Sequence, residues 1–360
     1  DTDRSRGLGD VYKRQAANSV IVVCGDKSKV VSNSDMWETS TNYQTYQTQT
    51  TGFDGEGQIT SAITYVTSEN NPKVYWVTGH GEASESDLST NFSDAVNKNN
   101  VEISDLALMT DDIPEDAEEL VIMSPTTDFS EDEANKVITY LENGGKLLMF
   151  TSYTGTDMPN LDSILENYGV KRSSGIVVET DSQHYYPQMP YYLLPNIQSD
   201  DITTEVKSNY ILMPVAQAIQ KLDSYRDTIT IKSLLTTTED AYIENDPENS
   251  TWSKSADSET GAFDLGVSIT ETVDDKETQI IYFSSASMLS SQIDQAISGA
   301  NSKLAATALT SMCDVEQTVV IPSKSTSYTN LVFTQGAVNT WSIITLSLIH
   351  ISEPTRPISI

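Results

Sequence analysis

At 360 residues with 38% hydrophobic content, the chain can bury a sizeable core, as one large or two ordinary domains. Its 52 acidic against 21 basic residues leave a formal charge of -31. Such a surface repels phosphate backbones and anionic lipid headgroups, which excludes nucleic acid as a partner. Cys24 and Cys313 lie far apart, in or near apolar segments, and are expected to be two buried thiols. No CxxC or Cys/His cluster is present, so neither a metal nor a cofactor is expected.

In chain order, the ends come first. Residues 5–15 match a frame translation of a common transposase-based sequencing adapter, and residues 346–356 match a translation of its reverse complement. Residues 1–15 and 346–360 are therefore read as adapter artefact, and residues 16–345 as a piece of a longer gene. Residues 341–345 look like the start of an apolar helix, far short of the roughly 20 residues a membrane span needs.

Residues 16–56 hold a strand at 20–24, a return strand at 28–31 across Gly25-Asp26, and a polar loop or exposed edge at 38–52. Residues 57–180 alternate helix and strand. Helical spacing marks 57–66 and 87–98, the latter with Leu88, Phe92 and Val96 on one face. Strands are expected at 74–77, 101–108, 120–123, 146–150 and 176–178. A helix from Ser130 carries a capping-box pattern with Glu133 and stops at Asn143-Gly144-Gly145. A short helix covers 161–168. This alternation predicts an α/β fold with a doubly wound, mostly parallel sheet. Residues 181–345 are expected to be a more β-rich continuation. Extended segments are read at 210–215, 228–236, 263–270 and 279–283, a mobile insert at 240–260, and a closing helix at 291–313.

The sharpest chemical candidate is Gly79-His80-Gly81-Glu82, a glycine turn directly after an apolar strand. In open parallel sheets the turns at the strand carboxyl ends form the ligand crevice. A His and a carboxylate beside exposed backbone N–H groups can bind a polar ligand or share a proton. The plainer reading is that the two side chains fix the turn, and it is the favoured one. The second candidate is the loop containing His184, Tyr185, Tyr186, Tyr191 and Tyr192. It reads either as an aromatic platform for sugar rings or, by preference, as a loop pinned over a sheet edge. Asp111, Asp112, Glu115, Asp116, Glu118 and Glu119 lack calcium-loop spacing and read as a solvated face. The turn after residue 150 has no Gly-x-Ser-x-Gly elbow, leaving Ser152 as a remote nucleophile candidate. There is no Walker A lysine loop either, so ATP hydrolysis is not expected.

Several segments together resemble one family. They are residues 59–66, 72–82 with Gly79-His80-Gly81-Glu82, Leu120 to Pro125, Tyr140 to Leu147 with Asn143-Gly144-Gly145, 161–169, Gly175 to Glu179, 193–195 and 234–237. The family is that of auxiliary proteins of ABC-type transport systems related to the gliding-motility protein GldG. The resemblance implies a non-catalytic, membrane-anchored extracytoplasmic domain, with ABC permease and ATPase subunits as partners. It also implies a fold similar to flavodoxin-like and class I glutamine amidotransferase-like domains, and to a domain of an intraflagellar transport protein for which sugar binding has been proposed. A carbohydrate-binding module with a polysaccharide ligand and a degenerate amidotransferase-like hydrolase are the alternatives. The candidate ligand-binding residues are Gly79, His80, Gly81, Glu82, Tyr185 and Tyr186.

Overall fold

The structure, a computed structural model, describes residues 19–42, 47–68, 71–313, 321, 324–325 and 333–352. Residues 1–15 and 353–360 of the segments read as adapter lie outside the described residues.

Strands β1 (Val20–Cys24) and β2 (Lys27–Val31) form the expected hairpin, turning at Gly25 with φ 58°. β3 (Trp37–Asn42) and β4 (Gln47–Phe53) form a second one, so most of the polar stretch at 38–52 is paired sheet. Thr39, Gln49 and Thr50, each exposed, suit a pleated surface that stays wet. Helix α1 (Gly55–Thr67) leads into β5 (Lys73–Val77). Then come α2 (Thr90–Lys98), β6 (Glu102–Leu106), β7 (Glu119–Met123), α3 (Glu131–Glu142), β8 (Lys146–Phe150) and α4 (Pro159–Asn167). Helix α2 starts later than periodicity suggests because Ser89 caps it, accepting from Asn91 N.

β9 (Val170–Val178) is three times the expected length, because its first half pairs with a strand from beyond residue 210. β10 (Tyr185–Tyr186), β11 (Met189–Leu193) and β12 (Asn196–Ile197) follow, then β13 (Met213–Pro214), β14 (Gln217–Lys221), β15 (Ile229–Thr236) and β16 (Tyr242–Glu244). The stretch read as a mobile insert therefore contains an edge strand: Tyr242 pairs with Val178 and is fully buried. β17 (Asp264–Val273) and β18 (Lys276–Phe283) form a hairpin whose two turn residues, Asp274 and Asp275, have φ of 50° and 62°. Both central residues left-handed is the mirror-image turn that matches strand twist.

The predicted helix at 291–313 is two, α5 (Ser291–Ala296) and α6 (Ala300–Met312). Ser298 and Gly299 between them have φ of 59° and 80°, which no right-handed helix can pass through. β19 (Lys324–Ser325) pairs with β4, and α7 (Gln335–Ser352) ends the described chain.

The main sheet has 11 strands. Five of them, in the order β6-β5-β7-β8-β18, run parallel. Beyond β18 the pairings are antiparallel through β17 to β14, β9 and β16, with β15 attached to β17 and β12 to β15. The sheet is thus mixed, and the expectation of a mostly parallel sheet holds for one side of it. The correction comes from the β-rich C-terminal part, which extends the same sheet: the β17–β18 turn reverses strand direction at the junction.

Alternate residues of the parallel strands enter two cores. Trp76, Val121, Met123, Leu148 and Phe150 face one side with Phe92 of α2 and Leu304 of α6. Leu120, Ile122, Leu147 and Met149 face the other with Val137 of α3 and Leu161 of α4. Burial on both faces is why these strands read as unbroken apolar runs. Cys313 is buried as expected, but Cys24 is exposed at the end of its hairpin strand; both are free.

Candidate functional site

Chain order reverses between β5 and β7: β6 lies on one side of β5 and the later parallel strands on the other. In open α/β sheets ligands enter at such a switch point, at the strand carboxyl ends. Here the turn Gly79–Glu82 leaves β5 at that point. Gly79 and Gly81 have φ of 125° and 78°, so the chain can double back within four residues.

The turn is stitched to its neighbours. The His80 carbonyl accepts the backbone N–H groups of Thr126 and Thr127, at 2.9 and 3.1 Å, and both threonine hydroxyls at 3.2 Å. Ala83 N donates to Met123 O at 2.9 Å, and Trp76 Nε1 donates to Ala83 O at 2.9 Å. A Cβ at Gly81 would lie 2.1 Å from Thr126 Oγ1, so glycine is also required by closeness.

The side chains face inward. His80 is 5% exposed, and its ring packs on Phe129 with centroids 4.3 Å apart. Nδ1 lies 3.2 Å from Glu82 Oε1, while Glu82 Oε2 accepts His80 N at 2.7 Å. Nε2 lies 3.3 Å from the Glu133 carboxylate, which also completes the capping box of α3 with Ser130. Burial opposes ionisation of Glu133, but hydrogen bonds from Ser130 and the nearby His80 outweigh it and hold the carboxyl below its usual range. Both ring nitrogens are therefore engaged by carboxylates. What the turn presents outward is the backbone of Gly79 and Gly81.

Ser152, the remote nucleophile candidate, follows β8, and its hydroxyl accepts from Ser124 Oγ at 2.9 Å. Among the described residues no imidazole is hydrogen-bonded to it. No group of three His, Cys, Asp or Glu side chains is placed to hold a metal, again among the described residues.

Tyr185 and Tyr186 form β10, part of a separate three-stranded sheet with β11 and β13. Among the described residues no hydrogen bond or ring contact joins them to the Gly79–Glu82 turn. His184 is held by Asp181, Nδ1 to Oδ2 at 2.9 Å. Tyr191 packs on Trp252, with centroids 4.4 Å apart at 33°, so that ring face meets a neighbouring side chain. Tyr186 is exposed at 37%.

Glu133, Thr126 and Thr127 complete the turn and are not visible as its partners in sequence. Ser130 and Glu133 are legible as a helix cap, but not the second duty of Glu133 beside His80.

The family described as "ABC-type uncharacterized transport system", ABC_transp_aux, matches residues 71–311. No curated protein matches the chain. Among solved structures, one similar chain is the mmIFT52 N-terminal domain, at 15% identity and TM-score 0.48, covering 67% of this chain and 96% of that one. Another is a putative ThuA-like protein from Parabacteroides merdae, at 12% identity and TM-score 0.37, covering 71% and 98%. A third is the exo-beta-1,4-mannosidase Op5Man5 from an Opitutaceae bacterium, at 11% identity and TM-score 0.34, covering 70% of this chain and 37% of the enzyme. At these scores the likenesses carry no inference about activity or ligand.

Proposed function

The chain belongs to the ABC-type uncharacterized transport system family, and from that premise we propose that it is a non-catalytic, extracytoplasmic auxiliary domain of the GldG type. It docks a partner subunit of the transporter, permease or ATPase-associated, at the carboxyl-end rim of the parallel strands. One observation carries the non-catalytic reading. The imidazole at the strand carboxyl ends, His80, is buried and lies between the carboxylates of Glu82 and Glu133. A reacting group needs a free base within hydrogen-bond reach of a nucleophile, and the imidazole here is already committed to two carboxylates.

What remains available is a rim of exposed backbone and short polar side chains. Gly79, Gly81, Thr126, Thr127, Gly155, Thr156 and Asp157 are all exposed there. Such a surface suits a protein face better than a small molecule, which needs a concave and largely apolar pocket. No helix among the described residues is long and apolar enough to cross a membrane. On this reading, attachment to the membrane comes through the partner subunits.

The test is co-purification from cells producing the full-length gene product together with its neighbouring permease and ATPase. Rim substitutions Thr156→Lys and Asp157→Lys, on exposed positions outside the stitched turn, are expected to reduce recovery of the partner without lowering the melting temperature. Full recovery with both substitutions would remove the rim as the docking face.

A further inference from the structure

Strand β1 has an open edge that nothing in its sequence guards. Val20 to Cys24 reads Val-Ile-Val-Val-Cys, and no charged residue occurs anywhere from Ala16 to Gly25. Among the described residues β1 pairs with β2 alone, so one long side of it is unpaired. β2 is the strand tied to the body. Its Lys27 Nζ donates to Ser68 O at 2.7 Å, and its Lys29 Nζ donates to Asn97 O at 3.1 Å and to Asn100 Oδ1. Val31, at the end of β2, is 2% exposed, whereas Val20 and Val23 of β1 are 37% and 54% exposed.

Other sheet edges carry the devices that blunt edge-to-edge pairing. β6 presents exposed Glu102 and Asp105. β3 is bulged between Glu38 and Thr39. β15, open along part of its length, carries exposed Lys232. The edges β10, β12, β13, β16 and β19 are only two or three residues long. β1 has none of these protections.

The hairpin also fixes which backbone groups of β1 face outward. Cys24 and Lys27 flank its two-residue turn. Such a flanking pair exchanges hydrogen bonds, and the pattern then alternates along the strand. Val20, Val22 and Cys24 therefore direct their N–H and C=O groups to β2, and Ile21 and Val23 direct theirs to the open side. Among the described residues, no backbone group outside the hairpin bonds to the backbone of Ile21 or Val23.

We propose that a second copy of this chain pairs with β1, antiparallel about a two-fold axis at Val22, joining the two hairpins into one continuous sheet. Ile21 of each copy then bonds Val23 of the other through both N–H and C=O. The facing pairs are Val20 with Cys24, Ile21 with Val23, and Val22 with its own copy, so the strand is complementary to itself and every pair is apolar. A contact of this isologous kind closes at the dimer. Charge favours this place. With a formal charge of -31, two copies repel each other over their acidic surfaces. On β1 there is no charge to oppose its copy, and the antiparallel arrangement sends the two Asp26 turns to opposite ends of the contact. Asn97 and Asn100 lie just before β6, so the hairpin sits at the amino ends of the parallel strands. Pairing there leaves the rim around Gly79–Glu82 open on both copies, and the proposal does not depend on the transport reading.

The experiment is sedimentation equilibrium on the full chain over a range of concentrations, with disulfide trapping as an independent readout. The parent is expected to form a dimer whose population rises with added salt, as screening relieves the repulsion between the two acidic bodies. Val23→Lys puts a charge on the open edge at an exposed position. It is expected to leave a monomer at concentrations where the parent is dimeric, with the melting temperature unchanged. For trapping, Val22→Cys in a Cys24→Ser background sets one thiol on the axis opposite its copy, within reach of a cross-strand disulfide. Mild oxidation is expected to give a covalent dimer. Ser208→Cys in the same background, at an exposed position on the body, is expected to give none. Should Val23→Lys fail to fold, trapping decides. A parent that stays monomeric at every concentration overturns the proposal. So does a dimer that persists in Val23→Lys, or a Val22→Cys variant that traps no better than Ser208→Cys.

Discussion

Asp294→Ala is expected to cost about 2–4 kcal/mol of folding stability, since a buried donor left without its acceptor costs roughly 1–3 kcal/mol. Asp294 is fully buried. Its carboxylate accepts Ser89 Oγ at 2.7 Å, Asn91 Nδ2 at 2.8 Å, Ser302 N at 2.9 Å and Ser302 Oγ at 2.7 Å. Ser89 is the cap of α2, and Ser302 lies in the first turn of α6. One carboxylate thus serves the N-terminal ends of two helices, where peptide dipoles favour negative charge. Alanine leaves the Ser302 N–H and two hydroxyls without an acceptor inside the core. Asp294→Asn keeps an oxygen but aims an amide at groups that are already donors, so an intermediate loss is expected. Thermal denaturation of both variants measures this. A loss under about 1 kcal/mol for alanine, within the ordinary range of surface substitutions or little beyond it, would show that the two helix ends do not depend on Asp294.

Glu119→Gln is expected to stabilise the protein, and increasingly so as pH rises. Glu119 opens β7 and is fully buried. Its Oε2 accepts the Cys313 thiol at 3.3 Å, and its Oε1 has no hydrogen-bond partner among the described residues. Burial pushes its carboxyl well above the usual range, and Glu118 adds to this. The Cys313 hydrogen bond and Lys146 oppose it without prevailing. Burial and the same glutamate also push the Cys313 thiol and the Tyr140 phenol upward, so each stays protonated in this cluster.

The sign follows from linkage. The unfolded chain releases the Glu119 proton near pH 4.3, while the folded protein keeps it to a higher pH. This residue's contribution therefore falls as pH rises from about 4.3 through the raised folded value. Glutamine preserves shape and the acceptor for Cys313 but cannot ionise. The variant should match the parent near pH 4 and exceed it by about 1–3 kcal/mol at pH 8, the scale of desolvating a buried polar group. Denaturant titrations of both proteins at the two pH values decide the matter. A constant difference between them would mean that Glu119 does not titrate in this window.

The fold was legible where burial leaves a strong imprint on sequence. Leu120 to Met123 and Leu147 to Phe150 are apolar without interruption because both faces of the sheet are covered. Ser130 with Glu133, and Gly144 after Asn143, mark helix ends through local hydrogen bonding. What stayed hidden depends on distant partners. Nothing near Arg172 announces that β9 continues back to Val170, because its ladder partner, Ile219, is 47 positions away. Parallel and antiparallel additions to one sheet look alike until the Asp274-Asp275 turn is placed. The break at Ser298-Gly299 was available as a glycine signal, but flanking Ala and Ile masked it with continuous helical spacing.

The candidate site shows the same division. The position of Gly79-His80-Gly81-Glu82 at a strand's carboxyl end is local and could be read directly. Whether His80 faces solvent or the interior depends on Phe129 and Glu133, which come from another strand-to-helix connection.

On the proposed reading His80 holds the turn and performs no chemistry. That reading is tested most directly by His80→Ala, assayed in parallel for melting temperature and for recovery of the co-purified transporter subunit at a temperature where the variant is folded. Removing the ring leaves Glu82 and Glu133 buried beside each other without the imidazole between them, for a loss of roughly 2 kcal/mol. The expected result is a lower melting temperature with partner recovery per folded molecule unchanged. An unchanged melting temperature with partner recovery or transport lost would contradict it, and would make His80 a working group of the site.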